Sequence, residues 1–170
     1  MPYFFEGMMK VYFASDHAGV ELKSILFEEL LLNPRKHQKI AIEPIDLGPS
    51  TKDSVDYPDF ADLACKKLHT LELVKAEGGS LLPAEVAILI CGSGQGMAMR
   101  ANKYSHIRAA LCWNVEVTKL SREHNDSNVL CLGSRFIAPD LAIQMLHAFL
   151  TTEFSGGRHQ QRVAKLAART

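Results

Sequence analysis

Apolar residues fall along this chain in two alternating rhythms. Short, nearly unbroken runs at "KVYFAS" (10–15), "AEVAILI" (84–90), "IRAALCW" (107–113) and "SNVLCLG" (127–133) have the length of strands buried on both faces. The stretches between them repeat with a helical period. In "GVELKSILFEELLL" (19–32), Val20, Leu22, Ile25, Leu26 and Leu30 share a mostly apolar face. The pattern predicts further helices over 59–73, 95–104, 114–125 and 138–154, and a last helical stretch from Arg158 after "SGG". "IAIEPIDLG" (40–48) reads as a strand shortened by Pro44. The segments 33–39, 48–58 and 77–83 read as connecting loops.

Strands that alternate with helices predict an α/β fold: a mostly parallel five-stranded sheet with helices on both faces, hence three layers. No repeat or long linker divides the chain. A single domain is expected over 10–170, with residues 1–9 as an N-terminal extension and a helix at the C-terminus. In such a sheet ligands bind beyond the carboxyl ends of the strands. The loops that begin at Ser15, Cys91, Trp113 and Gly133 are therefore expected to share one edge.

Composition narrows the function. The 170 residues are 47% apolar and 22% charged, with zero formal net charge. That balance argues against a broad nucleic-acid footprint. No run approaches the roughly 20 apolar residues of a membrane span, so no membrane partner is expected. "MPYFFEGMMK" lacks the basic and long apolar regions of a signal peptide. The four cysteines form no C-x-x-C pair, and Cys65, Cys112 and Cys131 read as small buried thiols in a reducing cytoplasm. No Cys/His cluster has metal-ligand spacing, and no metal is expected.

The candidate chemistry starts at "CGSGQGMAMRANK" (91–103), directly after the 84–90 strand. It is not a dinucleotide fingerprint, because Met97 stands at the third glycine position counted from Gly92, and there is no P-loop. Its glycines still allow backbone N–H groups to approach an anion at a helix N-terminus. They also fit a tight turn with no ligand. Cys91 stands just before that helix, a position that favours a reactive thiolate, or it is a strand-end hydrophobe. His124 ends a helical stretch and Asp16-His17 follows a strand, and both fit structural roles as well as functional ones. Arg158 and Arg162 lie one helical turn apart, as a solvated face or a phosphate clamp with His159 beside them.

Taken in order, "SDHAG", "DYP", "CGSGQG" with "ANK", "SREHND-SNVLCLGSR" and "GGRHQQRV" resemble the type B ribose-5-phosphate isomerases, whose family also holds galactose-6-phosphate isomerase subunits. The similarity runs from about Lys10 to about Lys165. It implies a Rossmann-like sandwich and aldose–ketose isomerisation of a sugar phosphate with no cofactor. By this resemblance Cys91 is the base that moves a proton between C1 and C2, and Ser93 relays protons at the sugar oxygens. The amides around Gly92, Gly94 and Gly96 hold the enediolate. His124 opens the furanose ring with Asp16 assisting and Asn125 nearby. His17, Arg135, Arg158 and Arg162 handle the phosphate, and Tyr57 borders the pocket.

The resemblance also implies a homodimer or homotetramer with shared active sites, in which His124 and some arginines serve another copy's Cys91. Three features depart from the family. Met97 stands where some relatives carry a glutamate base, Arg100 replaces a small residue in "RANK", and the connectors at 33–39 and 70–83 are long. Ribose 5-phosphate is the expected substrate. A six-carbon aldose phosphate, or a non-catalytic sugar-phosphate-binding subunit, are the alternatives.

Overall fold

The structure is a computed structural model, and it describes residues 4–5, 8–33, 40–69 and 72–166. In chain order the elements are β1 (Phe4–Phe5), β2 (Met9–Ser15), α1 (Val20–Leu32), β3 (Ile42–Asp46), α2 (Tyr57–Lys67), β4 (Leu73–Lys75) and β5 (Leu81–Pro83). There follow β6 (Glu85–Cys91), α3 (Gln95–Ala101), β7 (Ala109–Leu111), α4 (Val115–Asn125), β8 (Val129–Gly133), α5 (Pro139–Thr151) and α6 (Arg158–Leu166). Five strands form a sheet in the order β3-β2-β6-β8-β7, and every pairing is parallel. Among the described residues no helix is long and apolar enough to cross a membrane.

Strand pleating divides the core into two layers. On one face Val11, Phe13, Ile88, Ile90, Leu130 and Leu132 pack against Leu22, Leu26 and Leu30 of α1 and Met145, Leu146 and Phe149 of α5. Each such side chain contributes about 1.5–3 kcal/mol when fully buried. On the other face Tyr12, Ala14, Leu89, Cys91 and Cys131 meet Ala61, Ala64 and Cys65 of α2 and Met97 and Ala101 of α3. Many of these are small residues. Cys65, Cys112 and Cys131 are buried, as their apolar surroundings in the sequence imply.

The observed elements depart from the sequence pattern in three places. The helix expected over 59–73 stops at Lys67, and Leu73–Lys75 is strand β4, antiparallel to β5 within the loop expected at 77–83. Leu68 turns into the core, and the His69 N–H donates to Glu85 Oε2 at 3.1 Å, which draws the chain off the helix axis. In the segment expected as an extension, Phe4–Phe5 pairs in parallel with β4, and β2 begins at Met9. The strand expected over 107–113 contracts to β7. There the Asn102 side chain takes both the N–H and the C=O of Ala109 at 2.9 Å, covering part of the sheet edge. Most of the 33–39 connector lies outside the described residues.

One buried charge organises the end of α4. The Arg122 guanidinium, 1% exposed, donates to Asp126 Oδ1 at 2.9 Å and to the carbonyls of Ser127 at 2.5 Å and Thr152 at 3.3 Å. Its guanidinium carbon lies 5.8 Å from the centre of the Phe149 ring. Burial works against its charge, and the Asp126 carboxylate opposes that effect. Asp126 also accepts from Arg108 Nη2 at 2.8 Å and closes the helix with φ of 47°. Asp126→Ala would leave Arg122 buried without its counter-charge. Because Asp126 is 28% exposed, the loss is expected at about 2–3 kcal/mol, below the value for a fully buried pair. Urea unfolding measures it, and an unchanged midpoint would mean that the carbonyls alone satisfy Arg122.

Candidate active site

The sheet order reverses between β2 and β6. From β2 the chain goes through α1 to β3 on one side, and it later enters β6 on the other. The loops that leave β2 and β6 therefore diverge and open a crevice at their carboxyl ends. The Asp16 N–H donates to the Ile90 carbonyl at 3.0 Å, so the two strand ends are joined at that point. Asp16 is buried, and its Oδ1 accepts from the N–H groups of Ala18 at 2.9 Å and Gly19 at 3.1 Å. The carboxylate thus shapes the turn into α1 and sits at the crevice.

Cys91 is the last residue of β6, 5% exposed, and its side chain lies on the α3 side of the sheet. The Gly94 N–H donates to Cys91 Sγ at 3.1 Å. That contact needs the left-handed backbone of Gly94, φ 76°, and a Cβ there would stand 2.7 Å from Leu111 Cδ1. Ser93 is exposed at the tip of the turn, and its Oγ accepts from the Gln95 N–H at 3.4 Å. Gly92, Ser93, Gly94, Gln95 and Gly96 therefore bend the backbone around the mouth of the strand. Met97 points away into the core and is fully buried.

Other predicted residues border the same crevice. A Cβ on Gly92 would lie 3.2 Å from the Arg135 guanidinium carbon, and one on Gly96 would lie 2.5 Å from Tyr57 Cζ. Arg135 and the Tyr57 ring thus flank the loop from two sides. His17 Nδ1 accepts from the Val55 N–H at 3.4 Å, which ties the β2 turn to the loop before Tyr57. Ser134 was not singled out from the sequence. Its Oγ donates to the Ala18 carbonyl at 2.8 Å and contacts the Cys91 carbonyl at 3.3 Å, so one hydroxyl links three strand-end loops. Its place after β8 in "GSR" was the only signal for it.

His124, Asn125, Arg158 and Arg162 do not join this group within one chain. α4 starts beyond the carboxyl end of β7 and runs back along the sheet, so His124 lies where the strands begin. The Ala87 N–H bonds the Asn128 carbonyl at 3.0 Å, whereas Cys91 pairs with Gly133 at the far end of β8. Ala87 and Cys91 are about 13 Å apart along a strand. α6 shares this lower edge, because Gln160, Val163 and Ala164 border a cleft with Pro83, Glu85 and Arg108. A second cleft of about 590 Å³ is bordered by Asn125, Lys103, Tyr104 and Leu166. Arg158 and Arg162 are exposed.

The remaining cysteines form a contrast with Cys91. Burial pushes the Cys65 thiol up to about 12 and also raises Cys112 and Cys131. Thiols held in that way do not ionise near neutral pH. Arg100 is explained by α2: its Nε and Nη2 donate to the two Asp62 oxygens at 2.6 and 2.8 Å. The hydrogen bond from Arg100 lowers Asp62 from the ordinary carboxylate value. This clamp pins α3 to α2 behind the glycine loop. Among the described residues no three His, Cys, Asp or Glu side chains converge as metal ligands would.

The Ribose/Galactose Isomerase family model matches residues 11–166. A protein of Mycoplasma pneumoniae named a probable ribose-5-phosphate isomerase B is 42% identical over 159 residues, 93% of each chain. The solved ribose 5-phosphate isomerase B of Anaplasma phagocytophilum is also 42% identical, with a TM-score of 0.77 over 94% of this chain and 97% of that one. That of Mycoplasma genitalium, solved with bound ribulose-5-phosphate, is 34% identical, with a TM-score of 0.75 over 98% and 96%. A strand-end thiol under a peptide N–H, a glycine loop flanked by Arg135 and Tyr57, and similarity along nearly the whole chain agree: this protein belongs to the ribose/galactose isomerase family, among relatives named type B ribose-5-phosphate isomerases.

Proposed function

We propose that this chain is an enzyme that interconverts ribose 5-phosphate and ribulose 5-phosphate. The observation that carries the proposal is Cys91 Sγ accepting the Gly94 N–H at the mouth of the strand, where the exposed loop begins. That N–H comes from the turn that opens α3, so the sulfur lies where the strand meets the helix start. No other cysteine of the chain combines such a donor with a place at the crevice.

The chemistry follows in three steps. Ribose 5-phosphate is mostly a closed ring, so a proton must first leave the C1 hydroxyl while the ring oxygen gains one. His124 does this, assisted by Asp16, whose Oδ1 is engaged in its own turn. The Cys91 thiolate next takes the proton from C2 and returns it to C1 through an enediolate. Ser93 Oγ passes protons between the two sugar oxygens. The oxyanion that develops is met by the loop amides around Gly92, Gly94 and Gly96. Such fixed donors stabilise a transition state because they do not have to reorganise, and removing one typically costs about 2.7–4 kcal/mol. His17, Arg135, Arg158 and Arg162 hold the phosphate, with Asn125 near His124, and so bring C1 and C2 to the sulfur.

These roles require two copies. Within one chain His124 and Arg158 stand at the lower edge of the sheet and Cys91 at the upper one. A homodimer or homotetramer that seats the lower edge of one copy on the upper edge of another completes each site.

Three outcomes test this account. Purified enzyme turns over ribose 5-phosphate faster than galactose 6-phosphate or allose 6-phosphate; preference for a six-carbon sugar would reassign the substrate. Iodoacetamide modifies the native protein at Cys91 alone and abolishes turnover, sugar phosphate slows the reaction, and Cys91→Ala is inactive yet still binds. Native labelling at Cys65, Cys112 or Cys131, or an active Cys91→Ala enzyme, would remove the thiolate from the mechanism. Finally, inactive Cys91→Ala and His124→Ala proteins, unfolded and refolded together, recover about a quarter of wild-type turnover, because half the dimers are mixed and each carries one intact composite site. No recovery despite mixed dimers would place both residues in a site made by one chain.

A further inference from the structure

The ring assigned to sugar opening does not stand alone. His124 and His159 are stacked, with ring centres 4.2 Å apart and planes within 9°. His159 is 9% exposed, and with Val163 it forms the buried side of α6. Arg158 and Arg162 each precede one of these two anchors and are exposed. The backbone fixes the two histidines in register. The Ser155 N–H donates to the Glu123 carbonyl at 3.0 Å, beside His124, and the His159 N–H donates to the Gly156 carbonyl at 3.0 Å.

We infer that His159 is the positioning residue of the ring-opening step: its imidazole is the platform that sets the plane of His124 and ties it to the arginine pair on α6. This rests on the role proposed above for His124. The outer torsion of a histidine side chain is broad, so a flat neighbour is what fixes the plane of its ring. Acid–base transfer to a ring oxygen demands a fixed nitrogen within hydrogen-bond reach, so a lost platform costs rate without removing any chemical group. The platform must also stay uncharged when His124 carries the proton. Its surroundings meet that need: burial lowers the basicity of His159, and the charges of His124, Arg158 and Arg162 lower it further. One helix therefore does two things. Its buried face steadies the imidazole, and its exposed face holds two guanidiniums one turn apart for the phosphate.

The test compares three variants on two substrates. Ribose 5-phosphate must be opened. A four-carbon aldose phosphate has no free hydroxyl with which to close a furanose ring and skips that step. His159→Leu is expected to lower kcat/KM for ribose 5-phosphate tenfold or more and to change it less than threefold for the four-carbon substrate. His159→Phe keeps a flat ring and restores ribose 5-phosphate turnover to within about threefold of wild type. Equal losses of His159→Leu on both substrates would reduce His159 to a packing residue. A His159→Phe enzyme as poor as His159→Leu would mean that the imidazole nitrogens, not the ring plane, matter.

A second measurement does not depend on turnover. The His124 Cε1 proton is shielded by the stacked ring, so its NMR resonance sits upfield in wild type and in His159→Phe and moves downfield in His159→Leu. An unmoved resonance would remove the platform. His124→Asn serves as the separate control. If it loses activity equally on both substrates, the ring-opening role of His124 fails, whatever the His159 variants do.

Discussion

The site depends on two backbones being allowed to touch. β6 must turn into α3 directly over the end of β8. A Cβ on Gly94 would lie 2.9 Å from the Leu132 carbonyl carbon, and one on Gly133 would lie 2.7 Å from the Ser93 carbonyl oxygen. Only with glycine in both places do the strand ends close to this distance. Once they do, the Gly94 N–H points at Cys91 Sγ, and the next amide, that of Gln95, donates to Ser93 Oγ. Ser134 then reaches both the Cys91 and Ala18 carbonyls and locks the three loops together. The N–H contact to the Cys91 sulfur is thus a consequence of how tightly two strands can end.

The same packing separates one cysteine from the others. Cys65, Cys112 and Cys131 fill apolar layers where burial suppresses ionisation. Cys91 belongs to the same apolar layer as Cys65 and Cys131, but at the strand's end, where a peptide N–H also reaches its sulfur. Position along the strand, not residue type, sets Cys91 apart from the core sulfurs here.

The lower edge is built by different means. His124 sits at the end of a helix whose last turn is held by the Arg122–Asp126–Arg108 network, and its ring rests on His159. Buried charge and ring stacking tie the end of α4 to α5 and α6. The two edges thus differ in kind: a glycine turn with Cys91 at one end of the strands, and the His124–His159 stack with two exposed guanidiniums at the other.

Much of this was legible in the residues alone. The alternation of strand and helix determined the layers, because a strand buried on both faces and an amphipathic helix leave distinct periods in the sequence. "CGSGQG" determined a tight strand-to-helix turn with a thiol at its mouth, since glycine is what such backbone contact demands. What the sequence left open was distance. Nothing in the order of residues says that Leu68 turns inward and ends α2, that Arg100 meets Asp62, or that His159 lies flat on His124. Those pairs are 38 and 35 residues apart or join separate helices, and only the packed chain brings them together. Nor could local pattern reveal that His124 and Cys91 stand at opposite edges of one sheet. That separation arises from α4 running antiparallel to the strands, a property of the fold as a whole.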